Sequence, residues 1–238
     1  MSSLASFRLP ASLRFPALAL LVTLLTACAH GGTPTAYPAF DHATAQPRLV
    51  VTKLLATGGL PAFPQCKSPD VLCMDPAPTW MKLRTIETVH GAPMPDTFFA
   101  STTSHYGPID YAGPVRKPML MLLLTQAGDA VMLRYARALL EEDSRGERHL
   151  VLTHPGPYWL PCSVAALREP ITDPVLARAG AVSQEHYHQF YSEDRGAFFT
   201  VEGDQAVPRY SLPITRLGPH LAGKPLSSED FACDSTQR

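Results

Sequence analysis

Glu185-His186-Tyr187-His188 is where side-chain type and spacing in this 238-residue chain come nearest to a metal site. On a strand, alternate residues share a face, so His186 and His188 could hold one cation between them, with His154 or His149 as a third ligand. A water bound to that cation would give a metal-assisted hydrolase. On a helix the two rings would diverge by about 200° and the idea fails. Two solvated histidines on an exposed strand explain the same residues with fewer assumptions, and that reading is preferred. The hydroxyl-rich run from Thr97 to His105, TFFASTTSH, could pair a nucleophile with a base. Threonines alternating on a wet sheet face explain it with less. Tyr158 and Trp159, set between prolines in HPGPYWLPC, would anchor a binding partner if exposed and close a barrel end if buried. No Gly-x-Ser-x-Gly, His-Glu-x-x-His, Gly-x-x-x-x-Gly-Lys or dinucleotide fingerprint occurs, so no direct argument for catalysis arises.

The fourth candidate is a lone thiol. Arg8 and Arg14 precede an apolar run from Phe15 to Ala27, no acidic residue appears before Asp41, and small residues lead into Cys28. This positive, apolar, small-residue order is that of an export signal. The run contains Pro16 and is shorter than the roughly 18 continuous apolar residues that a spanning helix needs. Leu25-Thr26-Ala27-Cys28 resembles the lipobox of bacterial lipoproteins. That resemblance implies a diacylglyceryl group on the Cys28 sulfur, cleavage after Ala27 and acylation of the new amino terminus. Ala29, in place of Asp, then points to the outer membrane, with the folded part on the periplasmic side. A covalent lipid on Cys28 is the only cofactor expected.

Assigning Cys28 to lipid leaves Cys66, Cys73, Cys162 and Cys233, an even set that can pair fully in an oxidising compartment. The expected pairs are Cys66 with Cys73, which closes a short loop, and Cys162 with Cys233. Without residues 1–27, which carry Arg8 and Arg14, 18 basic side chains face 21 acidic ones, a net charge of −3. No clustered basic excess remains for a nucleic-acid partner. The partners expected are the membrane, through the lipid, and a protein, peptide or envelope ligand.

The elements that must position these residues are short, because 24 prolines break the chain often. Residues 28–47 lack an apolar period and read as a flexible tether. RLVVTKLLATGGL predicts a strand ended by Gly58-Gly59. WMKLRTIETVHG predicts a second, with an irregularity near Thr85 where the alternation slips. Gly91 to Asp96 is turn chemistry, and TFFASTT returns as a third strand. Helix and sheet readings conflict over residues 130–142. AVMLRYARALLEED has good helical propensity, yet turn signals at Ala127-Gly128-Asp129 and Ser144-Arg145-Gly146 bracket it, and strands are preferred. Asp173-Pro174 should cap and open one short helix that Gly180 closes. A meander with its tip at Glu202-Gly203-Asp204-Gln205 should follow, and the tail from Leu217 is expected on the surface.

This succession of strands, from Trp80 to Cys162, resembles the oligonucleotide- and oligosaccharide-binding (OB) barrel of netrin-module and tissue-inhibitor type. The Cys-x-Cys amino terminus through which such inhibitors act is missing, so inhibition is not implied. The expected fold is therefore mainly β, an OB-like barrel or antiparallel meander with one short helix, α+β being the alternative. The expected organisation is a signal peptide over 1–27, the tether over 28–47, a barrel-like domain over 48–165 and a meander extension over 166–238 whose tail a disulfide pins. The expected function is that of a non-catalytic binding or envelope-associated lipoprotein, the alternative being an anchored enzyme using His186 and His188.

Overall fold

A computed structural model describes residues 32–63, 66, 77–103, 117–126, 128–152, 160–183, 198–224 and 226, and for 132–136 the backbone alone. Thr35–Arg238 is one compact unit. Its first five strands are β1 (Gln46–Gly59), β2 (Thr79–His90), β3 (Thr97–Thr102), β4 (Met119–Gln126) and β5 (Asp129–Leu139). They close into a barrel in the order β1-β2-β3-β5-β4. β1 pairs antiparallel with both β2 and β4, and the ring closes through a parallel contact of β3 with β5 at Ser101↔Val131. The fold is thus mainly β and OB-like, and the parallel closure rules out a simple meander. The barrel begins at Gln46, close to the expected domain start at residue 48, and so takes in a strand that the resemblance drawn from Trp80 left out.

The disputed segment is strand. β5 pairs with β4 from Gln126↔Asp129 to Met119↔Leu139, and this partner outweighs the helical propensity of AVMLRYARALLEED, a preference worth only tenths of a kcal/mol per residue. The irregularity expected near Thr85 is present. Val51 faces Glu87 and Thr52 faces Thr85, which leaves Ile86 as an extra residue in β2.

Two apolar cores lie on opposite sides of the β1–β4 wall. The barrel interior is filled by Val50, Met81, Leu83, Phe98, Met121 and Leu123, drawn from β1 to β4. On the other side, Leu49, Val51, Leu120 and Leu122 pack with residues from the carboxy-terminal half, among them Leu152, Leu212 and Leu217. MLMLLLTQ is a continuous apolar run for this reason: a strand buried on both faces has no wet side to alternate with.

The second layer consists of β6 (Glu141–Glu142), β7 (Arg148–Leu152), β8 (Glu169–Pro170), β9 (Val182–Ser183), β10 (Phe199–Glu202), β11 (Gln205–Pro208) and β12 (Tyr210–Pro213). β10 and β11 form the expected hairpin, with Gly203 at φ +64° in its tip. The meander stops there. β12 leaves it to pair with β7, in a sheet ordered β6-β7-β12-β8.

α1 (Pro174–Gly180) is the expected capped helix. Asp173 Oδ1 accepts from the backbone N–H of Val175 and Leu176, each at 2.9 Å. α2 (Ile214–Leu221) corrects the sequence reading, because Leu217 is fully buried and not on the surface. Ile214, Leu217 and Leu221 recur at helical spacing and turn one stripe into the outer core. Pro219 and Gly218 conceal that periodicity from propensity-based reading.

Asp173 supplies a pH prediction. The Ser144 hydroxyl first, then the backbone N–H of Leu176, hold its carboxyl below the usual carboxylate range. A depressed folded pKa stabilises the protein above the unfolded value of about 3.9 and loses that stabilisation as pH falls below it. Asp173→Asn keeps a capping oxygen and removes the charge. The variant should therefore unfold at a lower temperature than wild type at pH 7, and thermal scans should show the gap closing as pH drops below about 4.

Candidate binding cleft and the β6–β7 turn

One end of the barrel is open. The start of β1, the β2–β3 turn and the β4–β5 turn surround a cleft of about 440 Å³. Its floor is the barrel's own core: Phe98 and Ala130 are buried, and Met94 packs against the same cluster. Its polar rim includes Arg48, Thr44, Thr125 and Gln126.

Arg48 is the charged group the fold fixes most firmly there. Its Nε donates to Thr125 Oγ1 at 2.7 Å, and its Nη1 donates to the carbonyl oxygens of Ala92 and Pro93. All three acceptors are neutral, so the guanidinium keeps its full charge, and its Nη2 donors have no hydrogen-bond partner among the described residues. Gly91 makes this arrangement possible. Its φ is +90°, and a Cβ there would meet Pro47 O at 3.0 Å and Arg48 Cγ at 3.2 Å. The rim is braced from the other side, where Gln126 accepts from the Asp41 N–H at 2.8 Å and donates to Thr44 Oγ1 at 3.0 Å. Asp41 to Thr44, within the stretch read as a tether, are thus docked on β4.

A second polar constellation lies in the turn between β6 and β7. Asp143 Oδ1 accepts from the backbone N–H of Arg145 at 2.9 Å and of Glu147 at 2.8 Å. Arg145 Nη2 lies 2.9 Å from Asp143 Oδ2 and 3.3 Å from Glu147 Oε2. Thr215 donates to Glu147 Oε1 at 2.6 Å, and His149 Nδ1 is hydrogen-bonded to Ser211 Oγ at 3.1 Å. Burial alone would raise the Asp143 carboxyl, but the Glu147 N–H together with the hydrogen bonds and charge of Arg145 outweighs it and lowers the pKa to about 2.

Of the residues singled out in the sequence, Cys28, Cys73, Cys233, His154, His186, His188, Tyr158 and Trp159 lie outside the described residues. Cys66 and Cys162 are each disulfide-bonded; both expected pairings involve a cysteine outside the description. His149, a candidate third ligand for His186 and His188, turns its ring toward Asp143 and Glu147. In the hydroxyl run, Ser101 and Thr102 are buried in β3 and not displayed on a wet face.

Sequence reasoning missed Arg48, because an isolated arginine at the head of a strand has no motif. It also missed an aromatic pair on the barrel exterior. Trp80 meets Phe99 edge-on at 5.6 Å, with Lys82 Nζ 5.8 Å from the Phe99 ring. The indole lies across Gly58 on the neighbouring strand, where a Cβ would sit 2.5 Å from it. The signal available was the alternation of Trp80, Lys82 and Arg84 with the inward Met81 and Leu83. Comparison with protein families, with characterised proteins and with solved structures finds no match to this chain.

Proposed function

We propose that this chain is an envelope lipoprotein, held by lipid on Cys28 at the periplasmic face of the outer membrane, whose OB-like barrel acts as a non-catalytic binding module. The ligand sits in the cleft at the barrel end. The observation that carries this reading is Arg48, an oriented guanidinium with no ion-pair partner among the described residues, beside the apolar floor of Met94, Phe98 and Ala130 in a cleft whose lining also includes Asp129. The open Nη2 donors of an oriented guanidinium beside an apolar pocket suit a carboxylate attached to an apolar group, as at the end of a peptide. The four remaining cysteines would pair with one another in the periplasm.

The test uses N-acetyl-phenylalanine and its carboxamide as probes, followed by chemical-shift titration of the isotopically labelled full chain in detergent. A hydrogen bond to a charged group contributes about 1.5–3 kcal/mol. The carboxylate should therefore bind roughly 10- to 100-fold more tightly than the amide, with shifts at Met94, Phe98 and Ala130. Arg48→Met should abolish the preference while leaving the barrel resonances in place. Equal affinity of the two probes, or shifts confined to other surfaces, would overturn the assignment of the cleft.

A further inference from the structure

We propose that the β6–β7 turn is a divalent transition-metal site, with Asp143 Oδ2, Glu147 Oε2 and His149 Nε2 as ligands and zinc as the cation best suited to them. The starting point is an unsatisfied atom. His149 is 3% exposed, and its Nε2 is buried without a hydrogen-bond partner among the described residues. Leaving a buried polar nitrogen unpaired is costly, and such an atom in a folded protein calls for a reason. This one is aimed at two carboxylates: Nε2 lies 3.7 Å from Asp143 Oδ2 and 4.0 Å from Glu147 Oε2. Both separations are too long for a hydrogen bond.

They suit a bridging cation. Ligand atoms bound at about 2.1 Å in a tetrahedron lie roughly 3.4 Å apart. The three atoms here are all within 4.8 Å of one another, so closing on a metal needs only small side-chain movements. One imidazole and two carboxylates form a borderline-hard set that takes zinc, manganese or cobalt, with water completing the shell.

Each ligand is already held by an outer partner. Two backbone N–H groups fix Asp143 through its other oxygen, Thr215 fixes Glu147 through its other oxygen, and Ser211 engages the far nitrogen of His149. With Nδ1–H donating to Ser211, Nε2 presents a lone pair, which is the tautomer a metal requires. The three oriented ligands come from two residues of one turn and one strand, and their braces reach β12 and α2. A bound cation would tie the hairpin to the sheet behind it.

The group occupying both carboxylates is Arg145, whose side chain is 74% exposed and free to swing into solvent. Arg145 is therefore a competitor of the metal, and this separates the proposal from a simple ion-pair network. In such a network, deleting the arginine leaves a damaged turn. In a metal site, it leaves a better one.

The experiment is a zinc titration by calorimetry on the full chain in detergent, repeated with cobalt to read its visible ligand-field bands. Wild type should bind one zinc, and Arg145→Ala should bind it at least tenfold more tightly. His149→Gln and Glu147→Gln should each weaken binding by thirtyfold or more, and Ser211→Ala by three- to tenfold. A His186→Ala/His188→Ala double variant controls for the other histidines and should leave this site intact. If His149→Gln loses its fold by circular dichroism, the partly exposed Glu147→Gln and the Arg145→Ala gain decide the matter. Zinc affinity indifferent to Glu147 and Arg145 would overturn the proposal, as would binding abolished only in the His186/His188 variant. The cleft and its probes use none of these residues, so either reading can fail alone.

Discussion

Leu120→Ala should remove about 2–5 kcal/mol of folding stability, measured by urea denaturation with the disulfides intact. That is a large share of the 5–15 kcal/mol a domain usually has. The size is informative because Leu120 points out of the barrel, where a free-standing barrel would expose it and tolerate the change within about 0.5 kcal/mol. Here the outward face of β4 is the inner wall of a second core, and Leu120 is fully buried against it. Leu123→Ala, on the barrel side of the same strand, should cost a similar amount. Both variants should unfold in one transition coincident by fluorescence and circular dichroism, because β1 and β4 belong to both cores. A tolerant Leu120, or two separated transitions, would contradict the double-sided wall.

The second large effect concerns the proposed anchor. Cys28→Ser should abolish palmitate incorporation completely and leave the precursor uncleaved by the lipoprotein pathway, with the mutant chain absent from the outer-membrane fraction. The effect is all-or-none because the proposal makes the sulfur the attachment atom, and each buried methylene of an acyl chain contributes roughly 0.8 kcal/mol to membrane binding. Two or more chains hold stably where one holds marginally. Acyl labelling that persists in the serine variant would refute the assignment, as would an unmodified thiol at position 28 in the mass of the mature wild-type protein.

Much of the barrel was legible in the residues themselves. Gly58-Gly59, Gly91 to Asp96 and Gly128-Asp129 punctuate apolar runs at strand length, and Asp173-Pro174 is a helix start that chemistry dictates locally. What stayed hidden was pairing at long range. Nothing in QPRLVVT announces that it lies between WMKLRTIETVH and MLMLLLTQ, and nothing in YSLPITRLGPHL announces a strand joined to β7 followed by a buried helix. The same limit applies to the sites. Arg48 acquires meaning through Thr125 and through carbonyls 44 and 45 residues away. Asp143, Glu147 and His149 are close in sequence, but the braces on Glu147 and His149 come from Thr215 and Ser211, which only the fold delivers.

The closure of the barrel also bears on how the chain is made. Gln46 meets Thr125, 79 residues further along, so the first strand has no partner on one side until more than half the polypeptide has been synthesised. Contacts of such long range are slow to form, since the chain entropy lost in bringing the ends together precedes any gain. A newly made molecule should therefore complete its barrel later than a locally folded bundle would, a delay that would suit threading through a translocation pore under the export proposed above.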